Sequence, residues 1–449
     1  MQKFVVTGIQ MRNKGSQAMF LSLLQSLKSI DETHEVVGFS NKYENPDQYK
    51  FDILPYDDYT RGIFKYHLNR APLLEPLITR AVGHWRKSDK WNGKVAEMDR
   101  ALREADAIFD ASGYTLGSGW SKQGGALLLQ TIRIARRYRK KIILMPQSFG
   151  PFDWNDGDNR AFMKQVRKEL SYCTKIYARE QEGYDCLTAL GLNNVALSAD
   201  MVIREKPFPH SSEICVRHDP SRVQYPPAGS VGFIVNENIS RIGDAEAVTR
   251  LYAGILDKLV ENGEQVYVVS TSCADDRLVE RVLARVRDRS GICVISGEYS
   301  SPDLISIISR FKYIVASRYH SIVFGYRNGV PAIILGWATK YIDLAAHFGQ
   351  QDYVFDIRDP GVCRMVAQID RMSANHETES RLISSRLKAI QATSVVQQAL
   401  DALNQRTVSQ CAGKSPTAAS GELQTSIRRD NAGSGELGHP VAGTNTASA

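Results

Sequence analysis

The residues best suited to chemistry crowd into one stretch, SRYHSIVFGYRNGVPAIILGWATKY, running from Ser317 to Tyr341. The apolar run before it, Tyr313–Ala316, reads as a strand, and Tyr319 to Asn328 reads as a helix stopped by Gly329. Arg318 and His320 then stand where a strand ends and a helix begins. Free backbone N–H groups and the positive end of the helix dipole favour an anion there. An arginine fork binds carboxylate or phosphate in a bidentate way, and Ser317 is positioned to cap the helix. The imidazole of His320 adds a group that gives or takes a proton near neutral pH. Lys340 and Tyr341 follow the next strand and can line the same cleft.

The first half offers weaker candidates at similar junctions. Asn13 and Lys14, in NKGSQA, bridge the first strand and first helix; Lys14 can answer an anion, and the plainer reading is a helix cap at Ser16. The glycine spacing there fits neither a Walker loop nor a dinucleotide fingerprint. Asp110 and Gly113, in DASGYTLGSGW, follow a strand and suit a ligand-contacting loop; a flexible turn is the alternative. Gln147, in PQSFGPF, and Arg179, in YARE, close two further strands, with turn chemistry and a surface Arg–Glu pair as their plainer readings. The nine histidines are scattered, without HExxH or Cys/His ligand spacing, so no metal site is expected. No GxSxG elbow marks a hydrolase.

The elements that must hold these residues form two series. Strand candidates in the first half are Phe4–Gly8, Glu35–Phe39, Ile53–Tyr56, Ala107–Ala111, Lys141–Pro146, Lys175–Ala178 and Val195–Ser198. The second half supplies Val231–Val235, Gln265–Ser270, Cys293–Ser296, Tyr313–Ala316, Ala332–Leu335 and the shorter Tyr353–Phe355. A helix over Asp244–Asn262 is marked by Val248, Leu251, Tyr252, Ile255, Leu256 and Leu259 at 3.6 spacing, with Gly263 as its stop. Strands alternating with helices predict parallel sheets covered on both faces. The reading is α/β, with two Rossmann-like domains, 1–204 and 230–406, joined by a Pro-rich linker at 205–229. Ligands in such sheets bind beyond the carboxyl ends of the strands, so two facing domains put the site in the cleft between them.

Composition sets the outer bounds. The 449 residues, 43% hydrophobic and 23% charged, suit two globular domains and exclude fibrous or wholly disordered chains. A net charge of +7 suits anionic substrates or a membrane surface as well as nucleic acid and chooses no partner alone; with no other sign of it, no nucleic-acid partner is expected. Seven cysteines without regular spacing, no signal pattern after MQKFVVTGI and no long apolar run predict a cytoplasmic protein. Residues 60–105 mix Arg and Lys with Ile63, Phe64, Leu73, Leu74, Leu77, Trp85 and Trp91. That insertion reads as a patch meeting the inner membrane face or a lipid-linked acceptor, or else as a solvated helical insertion. The Ala/Gly/Ser/Thr-rich residues 407–449 read as a disordered tail.

Taken in order, NKGSQAM, DASGYTLGSGW, PQSFGPF, YARE with LSAD, SRYHS and GVPAIILGWATKY resemble the polysaccharide pyruvyl transferase family over roughly residues 3–360. The resemblance implies a GT-B-like arrangement with an interdomain cleft. It also implies transfer of the pyruvyl group of phosphoenolpyruvate to a glycan acceptor, free or lipid-linked, as a ketal. It implies no cofactor beyond that donor. The family's anion-binding arginines fall on Arg318 and Arg179, and its Arg-x-His histidine on His320. Ser16 stands where many members carry Asp, and Thr339 where many carry His. The alternatives are a GT-B nucleotide-sugar glycosyltransferase and a non-catalytic glycan-binding pseudo-transferase.

Overall fold

A computed structural model of the chain describes residues 1–40, 45–67, 69, 94–155, 157–242 and 244–411. The first sheet takes β1 (Lys3–Ile9), β2 (Glu35–Ser40), β3 (Asp52–Pro55), β4 (Ala107–Asp110), β5 (Tyr114–Leu116), β6 (Lys141–Phe149), β7 (Lys175–Ala178) and β8 (Val195–Leu197). The second takes β9 (Val231–Ile234), β10 (Val266–Val269), β11 (Ile292–Ile295), β12 (Tyr313–Ala316), β13 (Ala332–Gly336) and β14 (Val354–Asp356). The strand orders are β3-β2-β1-β4-β6-β7-β8 and β11-β10-β9-β12-β13-β14, with β5 added against β6. Every pairing between these strands is parallel. The expected pair of Rossmann-like sheets is therefore present. β5 is an addition that its Gly- and Ser-rich setting hid.

Both central strands are apolar on both faces, as helices on each side of a parallel sheet require. The helix Lys14–Ile30 buries Met19, Phe20, Leu23, Leu24 and Leu27, and the helix Ala245–Glu261 buries Val248, Tyr252, Ile255, Leu256 and Leu259. In each sheet the strand order reverses beside the first strand, between β1 and β4 and between β9 and β12. These are the switch points at which an open parallel sheet leaves a crevice.

Residues Met1–Arg406 form one compact unit, and Thr407–Ala449 form a second, of which 407–411 are described as helix. One buried cluster runs from Phe4 and Val6 of the first sheet to Ile234 and Val269 of the second. The segment 205–229 is tied down at its start. The buried Glu205 carboxylate accepts hydrogen bonds from Ser26, Ser394 and the amides of Val395 and Val396. Further on, Lys50 N donates to Ile214 O at 2.8 Å, and Val216 N to Gln48 O at 2.9 Å.

Of the basic insertion, the helices Asp58–Lys65 and Lys94–Glu104 are described, and they bury Ile63, Phe64, Met98 and Leu102 in the first half's core. Ile63 and Phe64 thus belong to the interior and offer no membrane-facing surface. Leu73, Leu74, Leu77, Arg80, Trp85, Arg86, Lys87 and Trp91 lie outside the described residues, as does 412–449. Among the described residues, no helix is long and apolar enough to cross a membrane.

Candidate functional site

β1 runs into Gln10–Asn13, β9 into Asn236, β10 into Thr271 and Ser272, β12 into Arg318, and β13 into Trp337. Gln10, Arg12, Asn13, Asn236, Thr271, Ser272, Arg318 and Trp337 line one cavity of about 770 Å³ between the two halves, together with Lys14, Gly15, Trp120, Tyr319, His320 and Lys340. Four cations, Arg12, Lys14, Arg318 and Lys340, line it, and among the described residues no Asp or Glu does.

Backbone adds to that positive field. The helix Lys14–Ile30 starts at the cavity, capped by Asn13, whose side-chain oxygen accepts from Gly15 N at 3.1 Å and Ser16 N at 3.2 Å. The cap is therefore Asn13 rather than Ser16; the Ser16 hydroxyl instead accepts from Gln10 N at 2.8 Å. The helices Tyr319–Arg327 and Thr339–Phe348 also start there, and neither carries a side-chain cap. An uncapped helix start keeps amide donors for an anion.

His320 meets the first half directly. A Cβ at Gly15 would overlap its imidazole, so only glycine fits between the two helix starts. Its Nε2 lies 3.9 Å from Asp200 Oδ2, too far for a hydrogen bond, and is buried without a hydrogen-bond partner among the described residues. Burial pushes the His320 pKa down to about 4; Asp200 opposes that shift, and Arg179 and Lys340 reinforce it. The imidazole is accordingly neutral near pH 7. Lys340 is held by three aromatic rings, Tyr319, Tyr341 and Tyr114, at 5.4, 5.5 and 5.7 Å from its ammonium. Burial first, and then Arg179, pull its pKa down to about 8, with Glu180 opposing.

Arg318 reaches the cavity with part of its fork already used. Its Nε donates to Asp275 Oδ2 at 2.8 Å and its Nη2 to Asp275 Oδ1. Asp275 is fully buried, so the arginine both neutralises that carboxylate and presents its remaining N–H groups.

Several expected contacts lie elsewhere. Arg179 is 4% exposed and does not line the cavity. Its guanidinium donates to Glu180 at 3.0 Å, Asp200 at 2.9 Å and Ser148 at 2.6 Å, and it packs 4.4 Å from the Tyr319 ring. It acts behind the wall as a buried charge, because its carboxylates consume its donors. The Ser317 hydroxyl pairs with Tyr252 at 2.6 Å in the core, and it neither caps the helix nor faces a ligand. Asp110 accepts from Thr7 at 2.8 Å, Ser112 at 2.5 Å and Gln147 at 3.3 Å, in a buried network away from the cavity lining. Asp110, Gln147 and Gly113 are therefore not cavity lining; Gly113, with φ of 75°, forms the turn after β4. Asn13, Lys14, Arg318, His320 and Lys340 are the expected residues that the fold does bring together. Asp275, Asp200, Tyr319 and Trp120 were not singled out by sequence. Asp275 closes a short 3-10 turn after β10, and Asp200, the last residue of LSAD, caps the helix Met201–Arg204, so no spacing within either segment marks its part in the site.

A model of the polysaccharide pyruvyl transferase family matches residues 13–339. The fold is similar to that of S. aureus MnaA in complex with UDP, with a TM-score of 0.54, 10% identity, and coverage of 93% of this chain and 100% of that one. It is similar to UDP-GlcNAc 2-epimerase from Neisseria meningitidis bound to UDP-GlcNAc, with a TM-score of 0.52, 8% identity, and coverage of 90% and 100%. The Methanocaldococcus jannaschii UDP-GlcNAc 2-epimerase gives 0.51, 10% identity, and 86% and 99%. At such identities the likeness is one of fold alone, the GT-B-like pair of facing parallel sheets.

Proposed function

We propose that this chain, which belongs to the polysaccharide pyruvyl transferase family, moves the pyruvyl group of phosphoenolpyruvate onto a sugar of a polysaccharide or lipid-linked oligosaccharide as a ketal. The observation that carries the reading is a cavity lined, among the described residues, by four cations and no carboxylate, with uncapped helix starts beside them. Phosphoenolpyruvate brings a carboxylate and a phosphate, and such a lining answers both without a metal ion.

In this reading Lys340, Lys14 and the free N–H groups of Arg318 hold the donor, and Arg179 adds field from behind Tyr319. The addition needs a proton on the methylene carbon of the donor and removal of one from the acceptor hydroxyl. The ammonium of Lys340, with its pKa near 8, is protonated at neutral pH and supplies the first proton. His320, neutral because of burial, takes the second, and Asp200 at 3.9 Å stabilises the imidazolium so formed. The sugar oxygen bonds to the central carbon while the methylene becomes a methyl group. Attack by a second hydroxyl then breaks the bond from the central carbon to the phosphate oxygen and closes the ketal, and the second hydroxyl's proton leaves on the inorganic phosphate. Cations around the departing phosphate stabilise charge where it develops.

The test is incubation of the chain with phosphoenolpyruvate and a panel of bacterial surface oligosaccharides. Glycan-dependent phosphate release together with a new ketal methyl singlet by NMR is expected. Phosphate release without a ketal, or transfer from a nucleotide sugar instead, refutes the reading.

A further inference from the structure

The cavity has a second chemistry at its mouth. Trp120 is half exposed, and yet it lines the cavity. An indole left open to water is costly unless something covers it, since aromatic side chains carry a large apolar area.

Its exposure does not come from a slack loop. Trp120 N donates to Gly117 O at 3.1 Å, Ser118 N donates to Pro151 O at 2.8 Å, and the Trp154 indole N–H donates to Trp120 O at 2.8 Å. Gly117 and Gly119 leave no room for a Cβ against Tyr114, so the loop is packed flat on that ring. The Trp120 and Tyr114 rings meet edge to face at 6.5 Å, and the Lys340 ammonium lies 5.7 Å from the centre of the Tyr114 ring. A fixed, open indole face thus stands within a sugar unit or two of the proposed donor-binding ammonium. A platform held in advance loses little entropy on binding.

We infer that Trp120 is the stacking platform of an acceptor subsite, taking the apolar C–H face of a neutral pyranose and so helping to select the acceptor. Neutral hydrogen-bonding side chains in the same lining, Ser121, Asn238 and Thr271, suit sugar hydroxyls rather than a second anion. The inference rests on the proposed glycan acceptor, and Trp120 is a specificity-determining residue in it, with no part in proton transfer.

The test compares the full wild-type chain with Trp120→Leu, which keeps apolar bulk but loses the flat face, and with Trp120→Tyr, which keeps a face. The probes are a printed array of neutral hexose and N-acetylhexosamine oligosaccharides, free uridine as competitor, and phosphoenolpyruvate in a thermal-shift assay. The wild type is expected to hold at least one array glycan, Trp120→Leu to hold it about tenfold or more weakly, and Trp120→Tyr to recover part of the loss. All three are expected to gain the same protection from phosphoenolpyruvate. Equal glycan binding by Trp120→Leu overturns the inference, as does a wild type that holds no array glycan, or uridine displacing the bound glycan. Absence of protection in all three instead defeats the donor reading, and the array still reads the platform by itself.

Discussion

Replacing Lys340 with Met is expected to make the protein more stable and blind to its donor at once. The side chain lies in the cavity with its pKa pulled from 10.5 to about 8, chiefly by burial. At about 1.4 kcal/mol per pKa unit, holding it charged in the fold costs about 3 kcal/mol. Cation–π contact with Tyr319, Tyr341 and Tyr114 offsets part of this, about 0.5–1 kcal/mol for each well-placed ring. Methionine keeps the stem and removes the charge, so a net gain of about 1–2 kcal/mol at pH 7 is expected. The sign follows from proton counting. Between pH 8 and 10.5 the unfolded chain holds the proton that the folded one has lost, so wild-type stability rises with pH there and the advantage of Lys340→Met shrinks. Donor at a hundred times its Kd stabilises a binder by about 2.7 kcal/mol; the wild type should show that shift and the variant little of it. Urea unfolding at pH 7 and 9.5, with and without phosphoenolpyruvate, reads all of this. A variant less stable than wild type at pH 7, or one protected equally by the donor, refutes the reasoning.

Three further outcomes follow from the same geometry. His320→Gln should lower transfer by about 10²–10⁴; because burial pushes the His320 pKa from 6.5 down to about 4, wild-type stability should fall as pH drops through that window while the variant's stays flatter, as urea unfolding checks. Gly15→Ala should push a methyl into the imidazole, cost about 1–3 kcal/mol and cut turnover, which melting and kinetic assays read together. Arg318→Ala should strip the buried Asp275 of its partner and cost about 3–5 kcal/mol, with part of the loss regained in the double variant with Asp275→Asn.

The last of these rests on Asp275, a buried partner that the sequence reading of Arg318 as an anion-binding fork does not include. Depth is what sequence conceals. The apolar runs at Phe4–Gly8, Tyr313–Ala316 and elsewhere mark strands because burial on both faces leaves a continuous hydrophobic signature. β5 lacks one, since its two paired residues sit among glycines and serines. The strand ends were legible too, and with them the convergence of Arg318, His320, Lys340, Asn13 and Lys14. Yet a polar residue at a strand end can point into the cavity or under it. Arg179, Asp110 and Gln147 do not line it, because each meets partners from other segments that local spacing never shows. Asp275, the partner that fixes Arg318, lies 43 positions away and bears no motif.

The most direct test of the central claim is calorimetric titration of the purified chain with phosphoenolpyruvate, with UDP-GlcNAc as the parallel ligand and the Lys340→Met variant as control. The account predicts saturable binding of phosphoenolpyruvate by the wild type, weaker binding of UDP-GlcNAc, and loss of the donor signal in the variant. Tighter binding of UDP-GlcNAc with none of phosphoenolpyruvate, or donor binding that survives Lys340→Met unchanged, contradicts it.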